Sequence, residues 1–473
     1  MKHPDTYRGR RVVVLGLARS GVSVAKVFHA AGADVVVNDL KELELCPEAA
    51  ELTALGICVI CGSHPEDLVT PETALLVKNP GIPYKVDPIQ RALALGIEIV
   101  TEVEVAFRLT DAPIIGITGS NGKTTTTTLV GKMLDAAGLN PIVAGNIGRP
   151  LSDAAAEASK DDWLVVELSS FQLKGTSAFR PRVAALLNVA ETHLDYHGTM
   201  EDYYRSKAKL FASQTRADTA VLNWDDPAVR SLATEVAAKV LPFSVKERLE
   251  EGVFVDPPYP DSESDDGAER MLVWRSEGVT RTLMGVNELG IPGRHNAANA
   301  AAAVAICLAA GAPLEKLAEP LRQFRGVEHR LEYVRNVGGV AYYNSSKDTN
   351  ATATTMAIRS VKGKIVLLAG GLDRGSDYMD LLPIFRERLK GIVAFGETRE
   401  KLAQVAKLAG LESVVTVDPC EDADSTLREA VREAAAIAED GDVVLLSPAC
   451  ASWDMFQSYE QRGRIFKESA HTL

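Results

Sequence analysis

Short apolar runs alternate with stretches whose apolar positions recur at helical spacing along the whole chain. This is the pattern of βαβ units, whose parallel strands are covered on both faces and so carry no polar face of their own. The spacing predicts a strand at 10–15, a helix at 22–31 and a second strand at 34–38, with further strands at 75–78 and 98–100. A new unit opens with a strand at 113–117 and a helix at 124–137, followed by strands at 163–167 and 183–188. Residues 250–270 break the alternation with Asp256-Pro-Pro-Tyr-Pro260 and Asp261-Ser-Glu-Ser-Asp-Asp-Gly267, which predict an acidic surface insertion. Residues 296–310 read as a helix of small residues that must pack closely, and strands at 340–344, 364–369, 391–395 and 442–447 belong to a last unit beginning near Val327. No solenoid repeat is present, and the expectation is an α/β chain of three domains.

The length of 473 residues suits three domains of ordinary size. A net charge of −13 argues against a nonspecific nucleic-acid or anionic-membrane binder, whose footprint is basic. Six cysteines make no disulfide framework. Cys58-Val-Ile-Cys61 matches a CxxC spacing, but no second pair is near it and the run reads as a buried strand. The apolar run 12–15 is too short for a secretion signal, and no run reaches the roughly 18 apolar residues of a membrane span. The expectation is a cytoplasmic protein with no membrane insertion.

Candidate chemistry enters at Gly116-Ile-Thr-Gly-Ser-Asn-Gly-Lys-Thr-Thr125, between a predicted strand and helix. Glycines there let backbone N–H groups face phosphate oxygens, Lys123 adds charge, and Thr124 offers a hydroxyl to Mg²⁺. The usual spacing would place a glycine at 117; it falls at 116 and 119 instead. A triphosphate needs a metal with hard oxygen ligands, and Trp163-Leu-Val-Val-Glu167 ends a strand in an acid at the edge where ligands gather. His193 follows another strand in the same way. Each residue alone is more often a structural or solvated group than a ligand. Near the N-terminus, Val14-Leu-Gly-Leu-Ala-Arg-Ser-Gly21, with Asp39 ending the next strand, mimics a dinucleotide fingerprint and leaves a nicotinamide oxidoreductase as a rival reading. Ala18 stands at its second glycine, where backbone must approach a pyrophosphate.

Thr118-Gly-Ser-Asn-Gly-Lys-Thr-Thr125, Glu167-Leu-Ser-Ser-Phe-Gln172, Asn188-Val-Ala-Glu-Thr-His-Leu-Asp195, Gly293-Arg-His-Asn-Ala-Ala-Asn299 and Val327-Glu-His-Arg330 together resemble the Mur ligases, which share a fold with folylpolyglutamate synthases. The resemblance runs in order from about residue 10 to 468. It implies a Rossmann-like N-terminal domain (1–101), a central P-loop ATPase-type α/β domain (102–326) and a C-terminal Rossmann-like α/β domain (327–473). The 167–172 segment and Leu446-Ser-Pro-Ala-Cys-Ala-Ser-Trp-Asp454 look like the branch that adds D-glutamate to UDP-N-acetylmuramoyl-L-alanine. The implied reaction is phosphorylation of the substrate carboxylate by ATP, then attack of the amino-acid amine on the acyl phosphate. Anion meeting anion needs dense positive charge, from Lys123, one or two Mg²⁺ ions and arginines.

By the same resemblance, Lys123, Lys207 and His193 are catalytic, and Thr124, Glu167, His193 and Lys207, as a carbamate, hold metal. ATP contacts fall to Gly119, Ser120, Asn121, Gly122, Lys123, Thr124, Thr125, Asn299, Arg330 and Lys347. The UDP substrate is expected at Arg19, Ser20, Gly21, Asp39, Leu40, Lys41, Asn79, Gly81 and Asn146. D-glutamate, with its two carboxylates, is expected at His193, Thr349, Arg374, Ser452, Trp453 and Tyr459. The chain departs from the family pattern at Ser345, where an Asp is usual for the ATP ribose, and at Asp348, where Ala is usual. Trp453 and Tyr459 likewise stand for the usual Leu and Phe. The implied partners are small molecules, with no nucleic acid, and the implied state is a monomer. A sister ligase for another amino acid, a folate polyglutamate synthase and an inactive binding module remain as alternatives.

Overall fold

The computed structural model describes residues 1–192, 194–261, 267–361 and 363–473, without the Asp195 side chain. The first sheet has five strands in the order β3-β2-β1-β4-β5, all parallel. These are β1 (Arg11–Leu15), β2 (Asp34–Asp39), β3 (Cys58–Cys61), β4 (Thr73–Lys78) and β5 (Ile99–Val100). Val12 and Val14 pack with Phe28 on one face, while Val13 and Leu15 pack with Ile89 on the other. Covering both faces removes the need for polar alternation, which explains the continuous apolar run. The CxxC segment is a strand, as expected, but at the sheet edge. With β2 as its single neighbour, Cys58 is exposed and Cys61 half-buried.

The second sheet contains β6 (Ile114–Thr118), β7 (Pro141–Gly145), β8 (Trp163–Glu167), β9 (Val183–Leu186), β10 (Thr219–Asn223), β11 (Lys239–Ser244), β12 (Gly252–Asp256), β13 (Met271–Ser276) and β14 (Val279–Gly285). Their order is β14-β13-β12-β11-β10-β9-β6-β8-β7. Pairs from β7 to β12 are parallel, and β12-β13-β14 is an antiparallel extension. Part of the expected surface insertion is therefore core: Val253, Phe254 and Val255 are fully buried in β12. Three apolar residues between acidic flanks are too few to show a period. Residues 262–266 of that segment lie outside the described residues. The small-residue helix Arg294–Ala309 buries Ala297 and all of 299–307. It lies against the helix Lys123–Ala136 closely enough for the Cys307 Sγ to reach the Val130 carbonyl at 3.9 Å.

Both sheets belong to one compact unit, Met1–Phe324. The seam between them is polar. The Thr101 hydroxyl donates to the Gln172 carbonyl at 2.7 Å, and the Thr101 amide to that of Gly175 at 3.0 Å. The fully buried Glu104 carboxylate accepts the amides of Ser177 (3.0 Å), Ala178 (3.1 Å) and Phe179 (3.0 Å). Three amide donors offset the cost of taking a carboxylate out of water.

The second unit, Arg325–Leu473, holds a six-stranded sheet in the order β15-β16-β20-β17-β18-β19. Its strands are β15 (Glu332–Val337), β16 (Val340–Asn344), β17 (Ile365–Gly370), β18 (Leu389–Phe395), β19 (Ser413–Thr416) and β20 (Val443–Leu446). Only the β15-β16 pair is antiparallel. Ile365 and Leu367 pack with Phe385 on one face, and Val366 and Leu368 with Phe466 on the other. Among the described residues no helix is long and apolar enough to cross a membrane.

We predict that Phe254→Ala costs about 3–5 kcal/mol, the range for truncating a buried aromatic residue. A lowered urea midpoint for the variant checks it; an unchanged midpoint contradicts a core role for β12.

Candidate functional site

The phosphate-type loop leaves β6 and enters the helix Lys123–Ala136 at Gly122, whose φ of 80° is left-handed. A Cβ there would meet the Asn299 Oδ1 at 2.3 Å, so glycine is required by both conformation and space. Gly116 answers a different need. It lies within β6, where a Cβ would meet the Leu210 Cδ1 at 2.7 Å, so the unusual spacing reflects packing beneath the sheet. The loop is fastened from the end of β9. Asn188 Oδ1 accepts the Asn121 amide at 2.8 Å, its Nδ2 donates to the Asn121 carbonyl at 3.1 Å, and its own carbonyl takes the Ser120 amide at 3.0 Å. The Ser120 hydroxyl is 2.9 Å from the Tyr203 hydroxyl.

Two lysines converge on this loop. Lys123 Nζ donates to the carbonyls of Gly119 (2.9 Å) and Ser120 (3.0 Å), and Lys207 Nζ to that of Gly119 (2.8 Å). Lys207 is 1% exposed, on the helix Met200–Ala208, with its Nζ 4.7 Å from the Tyr203 ring centre. Burial, and then the Lys123 charge, push its pKa down to about 6, which leaves the amine mostly neutral near pH 7.

Glu167 ends β8 as expected and is 1% exposed. Its Oε1 accepts the Asn146 side-chain amide at 2.8 Å, and its carbonyl takes the Asn146 backbone amide at 2.9 Å. The buried Oε2 has no partner. An orphaned carboxylate oxygen beside a phosphate-type loop is the donor a divalent cation requires. Thr124 is buried in the first turn of the following helix. His193 lies outside the described residues. Among the described residues no three His, Cys, Asp or Glu side chains gather as a metal cluster.

A cavity of about 630 Å³ joins the first two sheets. Its walls include Arg19, Ser20, Asn79, Gly81, Lys123 and Asn146, six residues expected from the sequence. Glu102, Phe171 and Gln172 also line it. The last two lie in a motif the sequence singled out, whereas Glu102 carried no signal. Gly21 lies behind, lining a smaller hollow with Lys78 and Glu102. Asp39, Leu40 and Lys41 do not line the main cavity. Asp39 instead accepts the amides of Leu17 (2.8 Å) and Lys41 (3.0 Å), bracing the turn after β1, and Leu40 is exposed.

In the second unit, Arg462 is fully buried and ties together three loops at the carboxyl ends of strands. It donates to the Ser346 hydroxyl (3.0 Å) and carbonyl (2.9 Å), the Cys450 carbonyl (3.2 Å) and the Gly370 carbonyl (3.4 Å). The sequence gives no signal for it, because an arginine on an amphipathic helix reads as a solvated charge. Arg374 stacks over Trp453 at 5.3 Å, next to buried Ser452. Lys347 Nζ lies 5.6 Å from the centre of the Tyr459 ring, and His329 packs edge-on to that ring at 6.0 Å. Thr349 is exposed. The two departures in the 344–350 loop face each other. The Asp348 amide bonds the Ser345 carbonyl at 2.9 Å, and the Ser447 hydroxyl donates to the Asp348 carboxylate at 2.8 Å. Ser345 Oγ accepts the Leu331 amide at 3.0 Å. Burial raises Asp348 to about 6, against the pull of Ser345, Ser447, Arg330 and Arg462.

Residues 10–101 match the family described as Mur ligase MurD-like, N-terminal domain. Residues 117–307 match the Mur ligase middle domain, and 329–450 the Mur ligase, glutamate ligase domain. The chain is 46% identical, over 100% of both chains, to a UDP-N-acetylmuramoylalanine--D-glutamate ligase of Geobacillus kaustophilus (strain HTA426). It is 45% identical, again over 100% of both, to the protein of that name from Geobacillus sp. (strain WCH70). Among solved structures, the UDP-N-acetylmuramate-alanine ligase MurC from Thermotoga maritima is similar in fold, with a TM-score of 0.54 at 20% identity, covering 98% of this chain and 99% of that one.

The raised Asp348 carboxyl makes a pH prediction. Below its ordinary value of 3.8 both folded and unfolded forms are protonated. As pH rises toward 6, ionisation is easier in the unfolded chain, so stability falls, by at most about 3 kcal/mol once pH exceeds 6. Asp348→Asn should therefore gain stability relative to the parent between pH 4 and pH 7. Urea unfolding across that range measures it, and a pH-independent difference contradicts the buried-carboxylate account.

Proposed function

The chain belongs to the Mur ligase family, and on that premise we propose that it joins D-glutamate to UDP-N-acetylmuramoyl-L-alanine with cleavage of ATP, in peptidoglycan precursor synthesis. The observation that carries the site assignment is the Lys207 amine, buried and 2.8 Å from the Gly119 carbonyl of the phosphate loop. An amine held neutral by burial is a nucleophile for carbon dioxide, and the resulting carbamate supplies oxygen donors where a bare ammonium supplies none. Glu167 Oε2, the Thr124 hydroxyl and that carbamate are the proposed donors for Mg²⁺, with His193 as a further candidate. Bound there, Mg²⁺ would neutralise phosphate charge and polarise the transferred group.

The chemistry follows from the substrates. The γ-phosphoryl group passes to the substrate carboxylate and ADP leaves. The amine nitrogen of D-glutamate then attacks the acyl carbon, and phosphate departs as the amide forms. In this scheme the loop amides and Lys123 hold the triphosphate, with Asn299 as a further proposed ATP contact. The UDP substrate is assigned to the cavity wall formed by Arg19, Ser20, Asn79, Gly81 and Asn146. Asp39 acts there by bracing the turn after β1, with Gly21, Leu40 and Lys41 at its margin. In the second unit, Arg330 and Lys347 are the proposed ATP contacts. Thr349, Arg374, Ser452, Trp453 and Tyr459 are the proposed contacts for the amino acid. Domain limits at 101/102 and 326/327, a monomeric state and a cytoplasmic site of action complete the proposal.

Lys207→Ala should lower turnover by at least about a hundredfold while ATP binding stays within about threefold. Phosphate-release kinetics and calorimetric ATP titration measure the two; near-normal turnover would sink the assignment of Lys207. A phosphate-release panel across D-glutamate, L-alanine, L-lysine and meso-diaminopimelate should respond to D-glutamate alone. A preference for another amino acid would overturn the substrate assignment and point to Trp453 and Tyr459.

A further inference from the structure

Lys78 ends β4 and is 1% exposed, and among the described residues no carboxylate hydrogen-bonds its ammonium. Its Nζ donates to the Pro80 carbonyl at 3.0 Å and the Tyr196 hydroxyl at 3.3 Å, and the Tyr196 hydroxyl donates to the same carbonyl at 3.1 Å. Pro80 stands between Asn79 and Gly81 in the turn that walls the main cavity. Two donors on one carbonyl fix that turn more tightly than packing would. Burial, and then the charge of Lys174, lower Lys78 to about 7. A buried cation is a costly way to fill space, and an apolar side chain would pack there at lower cost.

The other side of this arrangement leads to the phosphate loop. The Tyr196 ring meets Phe171, a cavity residue, at 4.5 Å and His197 at 5.0 Å. His197 Nε2 is 3.0 Å from the Ser170 hydroxyl, and its Nδ1 is 2.7 Å from Asp202, which also takes Lys174 at 2.7 Å. Asp202 lies in the first turn of the helix Met200–Ala208, which carries Tyr203 and Lys207 onto the loop.

We propose that Lys78 and Tyr196 form a positioning latch that sets the 79–82 turn against the 194–207 segment, so that a UDP-linked substrate held at the turn is aligned with the loop and Lys207. The functional part of this inference rests on the substrate reading above; the mechanical part does not.

Hydrogen exchange on the full chain tests the mechanical part without substrate. In Tyr196→Phe, which removes one hydroxyl, exchange should quicken about tenfold in peptides covering both 78–84 and 194–207. Lys78→Met should give the same pattern, and the double variant little more than either single one. A change confined to one segment, or none, overturns the latch. In kinetics, kcat/KM for UDP-N-acetylmuramoyl-L-alanine should fall about fivefold to tenfold, with the KM for ATP within about twofold. An equal rise in the KM for ATP, or an unchanged kcat/KM for the UDP substrate, would also overturn it. If the parent enzyme does not turn over this substrate, the substrate reading fails, and the exchange result still decides for or against the latch.

Discussion

The carbonyl oxygen of Gly119 accepts two lysines, Lys123 at 2.9 Å and Lys207 at 2.8 Å, and the first unit is arranged to make that possible. The loop bearing this carbonyl keeps its shape because Asn188, at the end of β9, bonds it from three sides. Lys207 reaches it because the helix Met200–Ala208 is anchored through Asp202 and Tyr203. Burial, and then the Lys123 charge beside it, lowers the pKa of Lys207.

The same economy of charge recurs elsewhere. Glu104, Lys78 and Arg462 are each buried, and each is hydrogen-bonded to backbone groups of loops or turns. A backbone amide or carbonyl cannot move without moving its loop. A charge satisfied in this way therefore fixes loop geometry, where an exposed ion pair would contribute little. Arg462 does this for three loops of the second unit, and Glu104 for the turn at 177–179.

Layer character and the central strands were legible from the sequence, because strands such as β1, β8 and β17 bury both faces and stand out as unbroken apolar runs; the order of strands within each sheet was not. The phosphate loop and Glu167 were legible because their chemistry is tied to a strand end. Strand β12 was not, since Val253, Phe254 and Val255 are too short a run to outweigh their acidic flanks. Lys78, Glu104 and Arg462 were not either. Sequence reading assigns charges to the surface, and only packing reveals the backbone groups that make their burial tolerable. What Asp39 does for the fold was not legible either: its carboxylate accepts the amides of Leu17 and Lys41.

The bonds of Thr101 have a consequence for how the first unit can be cut. Residues 10–101 match a family model of their own. Yet Thr101, the last of them, is bonded through its hydroxyl to Gln172 and through its amide to Gly175. A fragment ending at residue 101 would leave both carbonyls without these donors, so the limit of the family match is not a plane along which the hydrogen bonding divides.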